Sequence, residues 1–135
     1  VPQLYQPYTV NRAQFGLGLF WVVNGFLKKV ILADFLAVHL VDRVFSQPTL
    51  YTGWENTLAL FAYTMQVYAD FSGYTDIAIG IGLLFGIRLP ENFKRPYLQS
   101  NITTFWQSWH ATLSAWARTY VFSPLSRWLL QRKPR

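Results

Sequence analysis

The chain has 135 residues, is 52% hydrophobic and only 13% charged, and carries a net charge of +6 from twelve Lys/Arg against six Asp/Glu. That charge content is about half the share usual in soluble domains, and six Trp, eight Tyr and eleven Phe suit the aromatic belts of a membrane–water interface. The absence of cysteine excludes a disulfide framework, a thiol nucleophile and a Cys-ligated metal.

The composition predicts an integral membrane protein. Its basic residues sit at the ends of apolar runs: Lys28–Lys29, Arg88 with Lys94–Arg95, and Arg127 with Arg132, Lys133 and Arg135. That placement suits anionic lipid head groups rather than nucleic acid, which would call for a basic stripe. A start at Val1 and an end at Arg135 just past an apolar stretch read as an internal segment of a longer protein.

In chain order, residues 1–14 are polar and contain proline, which predicts a loop leading into a helix. The run FGLGLFWVVNGFL (15–27) is almost wholly apolar and ends at Lys28–Lys29, then continues into VILADFLAVHLVDRVF (30–45). Asp34, His39, Asp42 and Arg43 interrupt the second part, so one long or broken helix over about 15–45 is expected, first in lipid and then against the interface. His39 is expected to be a structural residue. Pro48 and Gly53 mark residues 46–56 as a loop.

Residues 57–87 have Asp70 and Asp76 as their only charges, and their length suffices for a tilted span. Their glycines (Gly73, Gly80, Gly82 and Gly86) predict close helix contacts or a break near Ser72–Gly73. RLPENFKRPY (88–97) is a polar connection with two prolines. A last helix, over about 103–123, starts at an N-cap on Asn101 or Thr103 and is ended or bent by Pro124.

At about 100° per residue, Thr103, Gln107, His110, Ser114 and Arg118 fall within a stripe roughly 80° wide. Phe105, Trp106, Trp109, Leu113, Trp116 and Tyr120 form an aromatic sector beside it. Unpaired polar groups in hydrocarbon cost several kcal/mol, so such a stripe must face the protein interior or a wet cavity. An imidazole there suits general-base work on a hydroxyl. Periodicity leaves two blander readings open: a satisfied structural histidine, or a solvated interfacial stripe. Asp70 and Asp76 are costly in an apolar run and are expected to line a cavity or to pair with a base or hydroxyl. No nearby histidine joins them, which disfavours a metal. Gln66 and Tyr68 are candidates to hydrogen-bond an acyl carbonyl or simply to pack.

The strings QVYADFSGYTDIAIGIGLLFGIRLPENFKRPY and SNITTFWQSWHATLSAWARTYVFSPL, with GLFWVVNGFLKKVILADFLAVHLVDRVF before them, resemble the membrane-bound O-acyltransferase family. The nearest branch is of the alginate O-acetyltransferase type, and the teichoic-acid D-alanyl transfer type is more distant. The resemblance covers roughly residues 12–125. It implies an all-α, integral membrane, multi-helix fold with re-entrant or interfacial helices, of which this chain is a part. The activity implied is acyl transfer to a hydroxyl, with acetyl groups going to an exported polysaccharide such as alginate.

Carried over residue by residue, His110 matches the family's catalytic-centre histidine, as a general base or the partner of one. Trp106 and Trp109 match the tryptophans flanking it, and Ser114 and Trp116 match the pattern that follows. Asp70, Ser72, Gly73, Tyr74 and Asp76 match one further family segment. Pro90, Glu91, Asn92, Phe93 and Pro96 match another. Site-lining or substrate-binding roles are therefore expected for Asp70, Tyr74, Asp76, Trp106, Gln107, Trp109, Ser114 and Arg118.

The family more often has Arg-Asp-Tyr where Arg118–Thr119–Tyr120 stands here, and its second histidine lies downstream. The segment alone is accordingly expected to be inactive. The implied co-substrate is an acyl donor such as acetyl-coenzyme A, with no bound cofactor and no metal. The implied partners are membrane lipid and a polysaccharide acceptor or an extracytoplasmic acetyl-relay protein, and the implied location is a bacterial inner membrane. Two competing readings are a transporter or channel that relays protons or cargo through the buried His and Asp residues, and a non-catalytic membrane scaffold.

Overall fold

All regular elements among the described residues are helical, with no strand. The computed structural model describes residues 2–5 and 9–131. Arg132, Lys133 and Arg135 of the basic C-terminal cluster lie outside that range, as do residues 1 and 6–8 of the expected N-terminal loop. The chain divides into two compact units, Val1–Leu89 and Pro90–Arg135.

In the first unit, helix α1 runs over Arg12–Ser46. It begins where Asn11 closes a capping box: the Asn11 carbonyl side chain accepts from the Gln14 N–H at 2.8 Å, and Gln14 Oε1 accepts from the Asn11 N–H at 3.2 Å. Two local pairings thus satisfy donors that a helix start otherwise leaves unmet. The helix widens into π-type turns over Leu27–Ala33 and Ala37–Val41. There the Asp34 N–H reaches back to the Lys29 carbonyl and the Asp42 N–H to the Ala37 carbonyl. The helix expected as one long or broken element is thus continuous through Asp34, His39, Asp42 and Arg43, with two widened segments along it. His39 is exposed and stacks on Phe35, with ring centroids 4.3 Å apart.

Helix α2 covers Gly53–Leu84. It starts earlier than expected because Thr52 caps it and Glu55 reciprocates, its carboxylate accepting from the Thr52 N–H and hydroxyl at 2.8 Å each. Those two bonds, the backbone one foremost, hold the Glu55 carboxyl below the usual carboxylate range. Gly86, at φ 72°, ends the helix in a left-handed turn. No break occurs at Ser72–Gly73, so the glycines serve contact. A Cβ on Gly18 would lie 3.0 Å from the Gly80 carbonyl oxygen, and one on Gly25 would lie 2.5 Å from that of Gly73. Two glycine pairs, facing each other across antiparallel helices, thus set backbone-to-backbone packing.

Apolar side chains closed into the interior of this unit are few and mostly small (Ala33, Val41, Val44, Ala59, Ala69 and Ile79), and Ser72, Thr75 and Asp76 are buried with them. Large apolar residues such as Phe20, Ile31, Phe35 and Phe61 point outward. Such a surface has the character of a lipid- or protein-facing one. Among the described residues, α1 is the one helix long and apolar enough to cross a membrane, with mean hydropathy 1.5. The span expected over 57–87 does not meet that standard. Helix α2 has the length, but Asp70, Asp76 and its Gly, Ser, Thr and Tyr residues dilute its apolar character.

In the second unit, a loop with a short 3₁₀ turn at Pro96–Leu98 leads to α3 (Ile102–Ser108), α4 (Ala111–Ala117) and α5 (Ser123–Gln131). A wide π-type segment, Arg118–Phe122, joins the last two. Asn101 is the N-cap of α3, its side chain accepting from the Thr104 N–H at 2.9 Å. The single helix expected over about 103–123 is corrected: it is interrupted between Ser108 and Ala111. Pro124, expected to end or bend that helix, sits inside the first turn of α5. It lacks an N–H and would crowd the carbonyl four residues back, which the wide segment just before it accommodates.

Candidate functional site

The interruption falls on the candidate histidine. Trp109 leaves α3 in an extended conformation (φ −93°, ψ 123°), and His110 is left-handed (φ 46°, ψ 53°) before α4 starts. A non-glycine residue there costs roughly 1–2 kcal/mol, so surrounding bonds must enforce it. They come from the loop before α3. The Asn92 backbone carbonyl accepts from the Ala111 N–H at 2.9 Å. Asn92 Oδ1 accepts from the Thr112 N–H at 3.2 Å and from the Thr112 hydroxyl at 2.6 Å. The Lys94 N–H donates to the Ser108 carbonyl at 3.0 Å, closing the other side of the interruption.

His110 is half-buried between two short helices, with its carbonyl accepting from the Ser114 N–H at 3.2 Å. The change of direction at 109–110 dissolves the continuous polar stripe expected from periodicity. Thr103 and Gln107 belong to α3, Ser114 belongs to α4, and Arg118 opens the wide segment. Gln107 and Arg118 are exposed. The Ser114 hydroxyl bridges the interruption by donating to the Trp106 carbonyl at 3.4 Å.

Trp109 enters an aromatic cluster. It stacks on Phe105 (5.7 Å, 20°), meets Phe93 edge-on (5.1 Å, 88°) and lies 6.0 Å from Tyr97. Trp106 stands edge-on to Phe105 but is 57% exposed. The aromatic wall foreseen beside the histidine thus draws on the 90–98 loop as well as on α3.

The first unit holds the other candidates. Asp76 is buried, and its Oδ2 accepts from Lys28 Nζ at 2.6 Å and from Asn24 Nδ2 at 2.8 Å. Asp70, more exposed, pairs with Lys29. The lysines expected as head-group anchors instead reach across to α2. The widened turn Leu27–Ala33 carries both of them. Tyr74 is 62% exposed and, with Ile77, Ile81, Phe85, Ile87 and Leu89, lines an open apolar groove of about 440 Å³. Gln66 Oε1 and Ser72 Oγ are buried without a hydrogen-bond partner.

Asp70, Tyr74 and Asp76 therefore share the first unit, and His110, Trp106, Gln107, Trp109, Ser114 and Arg118 share the second. Among the described residues, no three His, Cys, Asp or Glu side chains are grouped to hold a metal ion. Periodicity alone missed Asn92. The string PENF.RP, which contains it, was the available signal.

A family model described as "MBOAT, membrane-bound O-acyltransferase family" matches residues 3–135, and the chain belongs to that family. It is 47% identical to the probable alginate O-acetylase AlgI of Pseudomonas putida over 114 residues, 83% of this chain and 23% of that protein. It is 44% identical to the peptidoglycan O-acetyltransferase of Helicobacter pylori over 116 residues, 86% of this chain and 22% of that protein. To the teichoic acid D-alanyltransferase of Bacillus subtilis it is 42% identical over 78 residues, 58% of this chain and 20% of that protein. The chain thus spans about a fifth to a quarter of the length of these relatives.

Proposed function

We propose that the chain forms part of a multi-pass O-acyltransferase of the bacterial inner membrane, which moves acetyl groups onto hydroxyls of an exported polysaccharide such as alginate. Membership of the family along almost the whole chain carries this reading. The acetyl- and D-alanyltransferase names of the relatives support an acyl donor and a cell-surface acceptor. No observation favours a transporter or a scaffold.

In the proposed reaction, His110 accepts the proton of the acceptor hydroxyl as its oxygen bonds to the acyl carbon. The bond from that carbon to the donor breaks, and the departing group takes up a proton. The donor is acetyl-coenzyme A or an acyl group passed on from it, and the acceptor is the polysaccharide or an extracytoplasmic relay protein. Ser114 and Gln107 help hold the reacting groups, Trp106 and Trp109 exclude water, and Arg118 lines the site. Asp70, Tyr74 and Asp76 are the substrate-binding candidates of the first unit. The short helices of the second unit are read as re-entrant or interfacial.

Replacing His110 by Ala in the complete protein tests the assignment. Acetyl incorporation is expected to fall about 10²–10⁴-fold, the usual contribution of a positioned proton acceptor, while the protein accumulates normally in the membrane. Parent-level acetylation by that variant would overturn it.

A further inference from the structure

The geometry points to Asn92 as a positioning residue for His110: its two carbonyl oxygens fix the left-handed turn that aims the imidazole. This rests on the reading of His110 as the proton acceptor. His110 has a non-glycine left-handed backbone (φ 46°) with no proline or glycine beside it to impose that shape. Conformations of this kind persist only where surrounding structure over-determines them, and they cluster at functional sites.

Asn92 supplies that determination at three points. Its backbone oxygen takes the N–H of Ala111, the residue immediately after His110. Its side-chain oxygen takes both the N–H and the hydroxyl of Thr112. Two consecutive amides that would otherwise follow the carbonyls of α3 are thus diverted to a loop some twenty residues earlier in the chain. Without the Oδ1 acceptor, the Thr112 pair is lost and 109–112 can relax toward a continuation of α3, rotating the imidazole. Neighbouring features hold Asn92 in turn. Phe93 packs edge-on against Trp109, and the Lys94 N–H donates to the Ser108 carbonyl. Arg95 also takes a left-handed backbone, at φ 49°. One short loop therefore straps both flanks of the histidine.

The experiment compares Asn92→Ala and Asn92→Asp in the complete, membrane-inserted protein. Asparagine and aspartate both offer an acceptor oxygen at the same reach, so aspartate should rescue. Asn92→Ala is expected to lower kcat for acetyl transfer at least about tenfold with donor KM within about twofold, whereas Asn92→Asp should stay within about threefold of the parent. A second readout does not depend on activity. Diethylpyrocarbonate modification at His110, followed by mass spectrometry, should change rate by at least about threefold in Asn92→Ala, with the exposed His39 as an unchanged internal reference.

Parent-like turnover in Asn92→Ala, a loss of the same size in Asn92→Asp, or an unaltered His110 modification rate would each overturn the assignment. If Asn92→Ala fails to accumulate, Thr112→Val replaces it and is held to the same His110 modification change. If His110→Ala itself retains activity, the catalytic reading falls. The modification rates still decide whether Asn92 holds the ring.

Discussion

Asp76 is 6% exposed and gathers Lys28 and Asn24 on one carboxylate oxygen. Removing it strands an ammonium group between two helices. Asp76→Ala is therefore expected to destabilise the protein by about 2–4 kcal/mol, somewhat less than a fully enclosed pair because the Lys28 side chain stays 30% exposed. The double change Lys28→Met with Asp76→Leu should recover most of that loss, because neither charge is then left alone. Thermal unfolding in detergent measures both, and a double variant no better than Asp76→Ala would contradict the pairing. The Lys29–Asp70 pair, with side chains 41% and 52% exposed, should contribute under about 1 kcal/mol by the same measurement. The presence of partners for these acids was legible, since lone charges in apolar runs are costly. Which lysine meets which aspartate was not, because that depends on how two helices align 41 to 48 residues apart in sequence.

Helices α1 and α2 meet at glycines, and substitution there should separate according to the space available. Gly25→Ala puts a methyl group 2.5 Å from the Gly73 carbonyl oxygen, so it is expected to cost about 1–3 kcal/mol. Gly16→Ala, on the same helix but with nothing within 4 Å, should be neutral or stabilise by up to about 1 kcal/mol. Equal melting temperatures for the two variants would rule out the close approach. Asn101→Ala removes the cap of α3 and should cost about 1 kcal/mol. That cap, like the long helices, was readable from local chemistry. The turn at Trp109–His110 was not. Its residues keep a helical spacing and include no breaker, and the bonds that divert them come from Asn92, far back in the chain. Periodicity assumes that each amide pairs four residues away, and here a distant carbonyl competes successfully.

At the level of the molecule, α1 is 35 residues long, about 50 Å at 1.5 Å per residue, against a hydrocarbon core of about 30 Å. Its charged second half, with Asp34, Asp42 and Arg43, should therefore reach beyond the lipid. This chain carries no cysteine, so introduced thiols report on α1 once any cysteine elsewhere in the complete protein has been replaced. Ala13→Cys and Phe45→Cys are expected to react with a membrane-impermeant maleimide from opposite sides, and Val23→Cys to resist it. Labelling of positions 13 and 45 from one side would show that α1 does not cross.

The matching intervals Gly18–Gly25 and Gly73–Gly80 turn the two helices into graduated scales read against each other. Adding one residue between either pair swings a mark through about 100° and presents a side chain where bare backbone must fit. Growth or loss of length should thus be tolerated in the link at Gln47–Thr52, but inside the scales only in steps of about seven residues, two helical turns, made on both helices together.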